Sequence, residues 1–449
     1  MTATKARERA GRTKGTVRFA AGDGVVAFVE ESHSLPLVSI VVSLCSGSAH
    51  DPAGKEGLMR LAARMLRRGC AGLVSREIDD AIDQLGAEMS VDVSASQVTV
   101  HTQVIRRNLE PFVALLRRLL STPTFDEEEL ARMKRETIAE LIEARDSDRS
   151  LCHAAFRREV FAGHLYARPA AGTTISVATV TTADARATYE RHFARKNIVL
   201  GFAGDITPDE ARVIARELTC ALPEGESVPD PATAPVLPPG RRLVFVDKPE
   251  RTQTQILIGT LGTSPHDPDH VAIGVACAIF GGTFTSRLMR EVRSKRGWSY
   301  GASARLAVDR QRQAFSMWTF PAATDAPACI KLELDLLEAL VTTGVTARET
   351  AFIRRYLMRS HAFDIDTAPK RLAQAMDVEL LGLPADYYTG YVDAVSKITE
   401  VEANAAIKAR LSTANLRVVV VGTASSLLDG VRAAIPGLLG ESVVPFDKE

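Results

Sequence analysis

The sequence predicts an α+β protein made by tandem duplication of one α+β domain, each copy a mainly antiparallel sheet packed with helices, the two halves clamshell-like. Three observations carry this. His50-Asp51-Pro52 recurs as His266-Asp267-Pro268, a shift of 216 residues. Ser75-Arg76, followed eleven residues later by Gly86, recurs as Ser286-Arg287 and Gly297, a shift of 211. Asn197 to Gly204 (NIVLGFAG) recurs as Asn415 to Gly422 (NLRVVVVG), a shift of 218. Three landmarks in one order, separated by small insertions only, mark an internal repeat. The stretch LPEGESVPDPATAPVLPPG after Ala221 has the Pro-rich composition of a linker. The expected organisation is therefore a disordered or extended N-terminus over 1–15, a first domain over 16–221, a linker over 222–240 and a second domain over 241–449.

Within the first copy, VVAFVE and PLVSIVVSLC are β-branched and partly alternating, which suits strands. From Lys55 to Arg68, Leu58, Leu61, Ala62, Met65 and Leu66 recur at helical spacing. AEMSVDVSA and QVTVHTQV alternate like a hairpin with one wet face. Asp126 to Arg145, rich in Glu, Arg, Leu and Ala and free of Pro and Gly, predicts a long solvent-facing helix. The second copy repeats the scheme, with strand TQTQILIGTLG, helices over 269–280 and 284–295, strands SYGASARLAV and QAFSMWTF, and several helices to 410. A short strand and a helix close it.

A hydrophobic fraction of 46% with 24% charged residues, over 449 residues, fits an ordinary globular protein of more than one domain. Fifty-five basic residues cancel fifty-five acidic ones, so no global field recruits nucleic acid or a membrane surface, and partners must be recognised locally. The polar start MTATKARERAGRTKG has no apolar stretch of the kind a secretion signal needs, and the expected location is cytoplasmic. Six scattered cysteines without CxxC spacing argue for reduced core residues rather than a disulfide framework or a cysteine metal site.

Two runs, GLMRLAARMLRRG from Gly57 and GGTFTSRLMREVRSKRGWSYG from Gly281, carry a resemblance to pitrilysin-type (inverzincin) metallopeptidases, which extends from Val17 to about Leu439. In that family the first copy holds an H-x-x-E-H helix, two His binding zinc one turn apart while the Glu activates water. The resemblance puts Arg60 and Arg64 at the two His, Ala63 at the Glu, and Glu140 at the further metal-binding glutamate, with seventy-five residues between Arg64 and Glu140. A guanidinium offers donors and a positive charge but no lone pair, so it cannot ligate zinc. The chain is thus expected to hold no metal, and Arg60 and Arg64 to pair with Glu140 where zinc would stand; the ordinary alternative is two arginines on a solvated helix face.

In complete members of the family an Arg and a Tyr, with six residues between them, come from the second half and hydrogen-bond the substrate backbone and the developing oxyanion. Arg293 and Tyr300 match that spacing. Arg293 falls at the end of an amphipathic helix, Gly297 breaks it and Tyr300 opens the next strand, so a fixed cation and a phenol donor could serve one polarised carbonyl. The first copy has Ile82 and Met89 at the matching positions. A helix C-terminus favours Arg, and Tyr is common in strands, so both also have ordinary readings. Gly281 and Gly282 are assigned either to substrate binding or to helix punctuation.

The resemblance implies a noncatalytic subunit of a two-chain zinc metallopeptidase: a homologous zinc-bearing partner, a heterodimer, and an unfolded peptide substrate that adds as a strand to a sheet edge. Zinc is expected in the partner and no cofactor in this chain. The alternative is a structural or scaffold protein derived from the family. A self-contained peptidase finds no support, since neither copy supplies two His and a carboxylate at workable spacing. His266 and His270 flank Pro268 in a loop before a helix, and the pairs His33 with His50 and His153 with His164 lack ligand spacing. GDG at 22–24 does not fit a phosphate loop, and no Ser, Cys or His arrangement marks a nucleophile.

Overall fold

A computed structural model describes residues 15–448; apart from Gly15, the stretch expected to be disordered at the N-terminus lies outside the described residues. The first six-stranded sheet comprises β1 (Val17–Ala20), β2 (Val26–Glu31), β3 (Leu37–Leu44), β4 (Ala87–Val93), β5 (Val98–Ile105) and β6 (Ile198–Gly204), in the order β1-β2-β6-β3-β5-β4. The second comprises β7 (Arg241–Asp247), β8 (Gln255–Leu261), β9 (Ala302–Leu306), β10 (Ala314–Thr319), β11 (Arg417–Gly422) and β12 (Leu438–Pro445), in the order β12-β7-β11-β8-β10-β9.

The two orders superpose strand for strand over five positions. In each, one parallel pair (β2 with β6, β7 with β11) adjoins an antiparallel run. The repeated segments at 197–204 and 415–422 are the matching strands β6 and β11. Each sits between a parallel and an antiparallel neighbour, and every residue of β11 is buried, which explains the near-continuous apolar run in both copies. The copies differ at the edge beside the parallel pair: β1 comes from the start of the chain and runs antiparallel to β2, whereas β12 comes from its end and runs parallel to β7. Strand β12 was not expected after the helix Ala424–Ala433; its mostly exposed sequence, LLGESVVP, carries little apolar alternation.

Alternation on β3 sends Val38, Ile40, Val42 and Leu44 to a core shared with α1 (Leu58–Met65), α2 (Ser75–Gln84) and α3 (Leu109–Ser121). Downstream lie α4 (Glu127–Glu143), α5 (Asp148–Val160), α6 (His270–Cys277), α7 (Ala347–Ser360) and α8 (Ala368–Leu380). The expected long helix from Asp126 is α4, flanked after Glu143 by one 3-10 turn.

The chain forms two compact units that are not contiguous in sequence. One runs to Leu141 and adds Arg168–Pro231 and Ala362–Tyr388; the other takes Ile142–Ala167, Ala232–His361 and Thr389–Glu449. Thus α5, expected in the first domain, packs on β8 and β11, and α8, expected in the second, packs on β2 and β6. An amphipathic helix encodes an apolar face and not the identity of the sheet it covers. Each transferred helix is fixed by charge as well as packing. In the first unit α8 sets Leu372, Met376 and Leu380 on Phe28, Val199 and Ala203, and Arg371 Nε donates at 2.7 Å to the buried Glu30, which also accepts from Thr16 Oγ1 at 2.6 Å. In the second unit the buried Lys248 donates to Asp148 Oδ1 at 2.7 Å, at the start of α5, and to the carbonyls of Arg145 and Asp146 at 2.8 and 3.0 Å. Among the described residues no helix is long and apolar enough to cross a membrane.

Taking away one partner of a buried ion pair leaves the other charge desolvated and unpaired, at a cost of about 3–5 kcal/mol. Arg371→Met should therefore destabilise the first unit by about 3 kcal/mol in urea unfolding, whereas Arg18→Met, which removes an exposed pair with Glu379 on the same helix, should change it by less than about 1 kcal/mol.

Candidate functional site

Helix α1 starts where the chain can turn most tightly. Gly57 has φ +92°, and a Cβ there would lie 2.8 Å from the Ala171 carbonyl oxygen, so only glycine fits. The Asp51 carboxylate accepts from the Gly57 and Met59 N–H groups, both at 2.8 Å, and so satisfies two donors at the helix start. This is what the HDP landmark does in the first copy. In the second copy, Asp267 instead accepts from the Ser264 N–H at 2.9 Å and pairs with Arg410 and Arg312.

Leu58, Met59, Leu61, Ala62, Ala63 and Met65 form the buried face of α1. Ala63, at the position of the family's water-activating glutamate, is therefore core. Arg60 and Arg64, one turn apart, converge on Glu140 of α4: Arg60 Nη2 to Oε2 is 2.9 Å, and Arg64 Nη2 to Oε1 is 3.2 Å. Arg64 Nη1 also reaches Thr137 Oγ1 at 3.4 Å. Burial works against ionisation of Glu140, but the hydrogen bond from Arg60 and the charge of Arg64 outweigh it and hold the carboxyl below the ordinary range. These residues do not fit zinc: the two side chains at the histidine positions have no lone pair, and their cations already occupy the one carboxylate that could ligate. Among the described residues no cluster of three or more His, Cys, Asp or Glu suits a metal ion. His270 is buried, with Nδ1 2.8 Å from Thr263 Oγ1, and His33 lies between Asp205 and Glu31.

Two further arginines join this row. Arg67 Nε donates to Asp79 of α2 at 2.7 Å and its Nη1 to the Met89 carbonyl of β4 at 3.2 Å; Arg68 Nη2 donates to Glu136 at 3.1 Å. Arg60 and Arg64 lie one turn apart on α1, and Arg67 and Arg68 follow in the turn just after its end at Met65; the sequence shows the four as an i, i+4, i+7, i+8 series. With Asp79 and Met89–Val91 they line a cavity of about 470 Å³.

In the second unit α6 runs on into a wide π-turn over Ala278–Gly282, and a second π-turn spans Met289–Ser294. Gly281 is buried, and a Cβ on it would fall 2.2 Å from the Ala304 nitrogen of β9, so packing alone demands glycine there; Gly282 is exposed and under no such restriction. The segment carrying the Arg/Tyr pair is held at several points. Arg287 donates to Glu349 of α7 at 2.8 and 2.7 Å and to the Gly344 carbonyl at 2.9 Å. Gly297, at φ +67°, donates to the Arg293 carbonyl at 3.0 Å, the bond of an αL helix end, and Trp298 donates to the Val292 carbonyl at 3.1 Å. Ser299 Oγ donates to the Gly301 carbonyl at 2.7 Å and accepts from the Phe320 N–H at 3.2 Å, which fixes the backbone on both sides of Tyr300.

Tyr300 lies two residues before β9 rather than within it, and it is 81% exposed. The Arg293 guanidinium stacks on the exposed Phe284 ring at 4.6 Å, and among the described residues it has no carboxylate partner. No direct bond joins Arg293 to Tyr300 among the described residues. Their counterparts in the first copy, Ile82 and Met89, are buried in the core. The same two repeat positions thus serve packing in one copy and carry a half-buried guanidinium and an exposed phenol in the other.

Two family profiles match the chain: Insulinase (Peptidase family M16) over residues 26–174 and Peptidase M16 inactive domain over residues 179–357. The chain belongs to the M16 peptidase family, and at its own metal position it is a noncatalytic member. The non-peptidase homolog YmxG of Helicobacter pylori is 21% identical over 398 residues, covering 88% of this chain and 91% of that one. The uncharacterized zinc protease SCO5738 of Streptomyces coelicolor is 24% identical over 344 residues, covering 75% and 74%. Among solved structures, a peptidase M16 inactive domain from Pseudomonas fluorescens has a TM-score of 0.84 at 24% identity, covering 91% of this chain and 98% of that one. A protease from Helicobacter pylori has a TM-score of 0.82 at 15% identity, covering 92% and 100%. At these identities the two structures establish the fold alone.

The Arg287 hydrogen bonds outweigh burial and hold the Glu349 carboxyl down at about 2, against an ordinary value of 4.5. A depressed carboxyl pKa stabilises the fold above the ordinary value and loses that contribution as pH falls toward 2. Glu349→Gln should cost about 1–2 kcal/mol at pH 7 and flatten the fall in thermal stability between pH 4.5 and pH 2, measured by calorimetry in that range.

Proposed function

We propose that this chain is the zinc-free, noncatalytic subunit of a two-chain M16 metallopeptidase, lending Arg293 and Tyr300 to the active site of a homologous zinc-bearing partner. The observation that carries this reading is the contrast between the copies. The first lacks the side chains that bind zinc and activate water, whereas the second keeps a half-buried cation and an exposed phenol on a backbone fixed by Arg287, Gly297 and Ser299. A half-buried guanidinium with no carboxylate partner among the described residues and an exposed phenol are the two kinds of donor a developing oxyanion needs. The peptide would be unfolded and would be bound through its backbone, which suits a sheet edge. Gly282, exposed beside this segment, leaves room for a substrate backbone to approach.

A scaffold role is the competing reading. The likeness to a chain of Complex III2 from Candida albicans, with a TM-score of 0.75 at 15% identity, is one of fold and does not favour it. Incubation of the purified chain with an unstructured fluorogenic peptide should give no hydrolysis. Adding the homologous chain that carries an intact H-x-x-E-H helix should give turnover that exceeds the activity of that partner alone. Arg293→Ala or Tyr300→Phe should then lower kcat by about 10²-fold, as loss of one oxyanion donor does, while size-exclusion chromatography shows the heterodimer unchanged. Hydrolysis at the same rate with both variants, or with the partner alone, would assign the chain to the scaffold class.

A further inference from the structure

The cavity beside the degenerate metal position carries more guanidinium than carboxylate. Its lining includes the guanidiniums of Arg60, Arg64, Arg67 and Arg68, and its other boundary is Met89–Val91 of β4, the outermost strand of the first sheet. These four cations share three carboxylates: Glu140 serves Arg60 and Arg64, Asp79 serves Arg67, and Glu136 serves Arg68 and also a fifth arginine, Arg132. Positive charge is in excess. A guanidinium has five N–H donors, and among the described residues Arg60 commits one to Glu140 and Arg68 one to Glu136. Donors remain for an incoming anion.

The neighbouring strand narrows what that anion belongs to. As the edge strand among the described residues, β4 presents backbone groups that no other strand pairs, the Met89 carbonyl being held by Arg67, and such an edge is the template for a further strand. Arg67 already bonds the Met89 carbonyl, so the arginine row and the strand edge are parts of one surface. A cavity of about 470 Å³ is also far larger than a single small anion needs.

We propose that this cavity binds the C-terminal carboxylate of an extended peptide whose backbone pairs with β4. The planar guanidinium fork matches a carboxylate in two parallel hydrogen bonds, and strand pairing supplies affinity independent of sequence. Glu140 is the resident competitor: it holds the forks of Arg60 and Arg64 until a terminal carboxylate takes a share of them. The binding site lies within the first unit, requires neither zinc nor a second subunit, and stands whether or not Arg293 and Tyr300 act on a partner.

The test uses the full chain and two N-terminally fluorescein-labelled decapeptides of one flexible, uncharged sequence, one ending in a free carboxylate and one in an amide, followed by fluorescence anisotropy at low ionic strength. The acid should bind at least about tenfold more tightly than the amide, a difference of about 1.4 kcal/mol. Arg60→Gln with Arg64→Gln should bring the acid down to the amide's affinity. Glu140→Gln, which frees both forks, should raise the acid's affinity severalfold and leave the amide's unchanged. The acid–amide comparison needs no variant and so does not depend on any substitution being tolerated. Equal binding of the two peptides, no binding of either at millimolar concentration, or inorganic phosphate matching the acid peptide's affinity would each overturn the proposal, the last by marking a small-anion site that makes no use of β4.

Discussion

Glu140 accepts hydrogen bonds from two arginines one turn apart on α1, and much of the first unit's chemistry follows from that shared carboxylate. Where an intact H-x-x-E-H helix would hold a divalent metal through lone pairs, this protein places two fixed cations that satisfy the same acid. The exchange conserves local charge in kind. An acidic side chain on α4 still meets positive charge from α1, so the helices keep their electrostatic reason to pack while the Lewis acid is lost. Ala63 completes the change, because a buried methyl group has replaced the position from which water would be activated and has joined the core.

Loss in one copy and retention in the other are unequal in cause. Ile82 and Met89 are held by packing, as core residues of any α+β unit are. At the equivalent places, Arg293 and Tyr300 contribute little to their own core, yet the backbone around them is fixed by the αL helix end at Gly297, a serine bridging the loop and the Arg287–Glu349 clamp. A rigid backbone presenting polar side chains to solvent is the arrangement a binding or catalytic surface requires. Gly281, by contrast, is explained by its contact with Ala304, and no ligand is needed to account for it.

Much of this was legible in the residues alone. The repeat could be read because its landmarks mark backbone necessities: the buried strands β6 and β11 and the glycine at each helix end. The loss of the ligating side chains could be read because guanidinium and imidazole differ in kind. The arginine row at 60, 64, 67 and 68 was only half legible: its spacing suggests one helix face, whereas α1 ends at Met65 and the last two arginines are brought to the same cavity by the turn that follows. The membership of α5 and α8 was not legible. Their apolar faces fit either sheet, and the choice is made by contacts such as Arg371 with Glu30, 341 residues apart in sequence. Strand β12 was missed for a related reason: an exposed edge strand buries too little to leave a pattern.

The central claim is that the position of the family's metal is occupied by an arginine–glutamate–arginine group with no affinity for zinc. Titration of the metal-free full chain with zinc at neutral pH, in competition with a chromophoric chelator, tests it most directly. The chelator should fill as though no protein were present. One equivalent of zinc withheld by the protein, and released by Glu140→Gln, would contradict it.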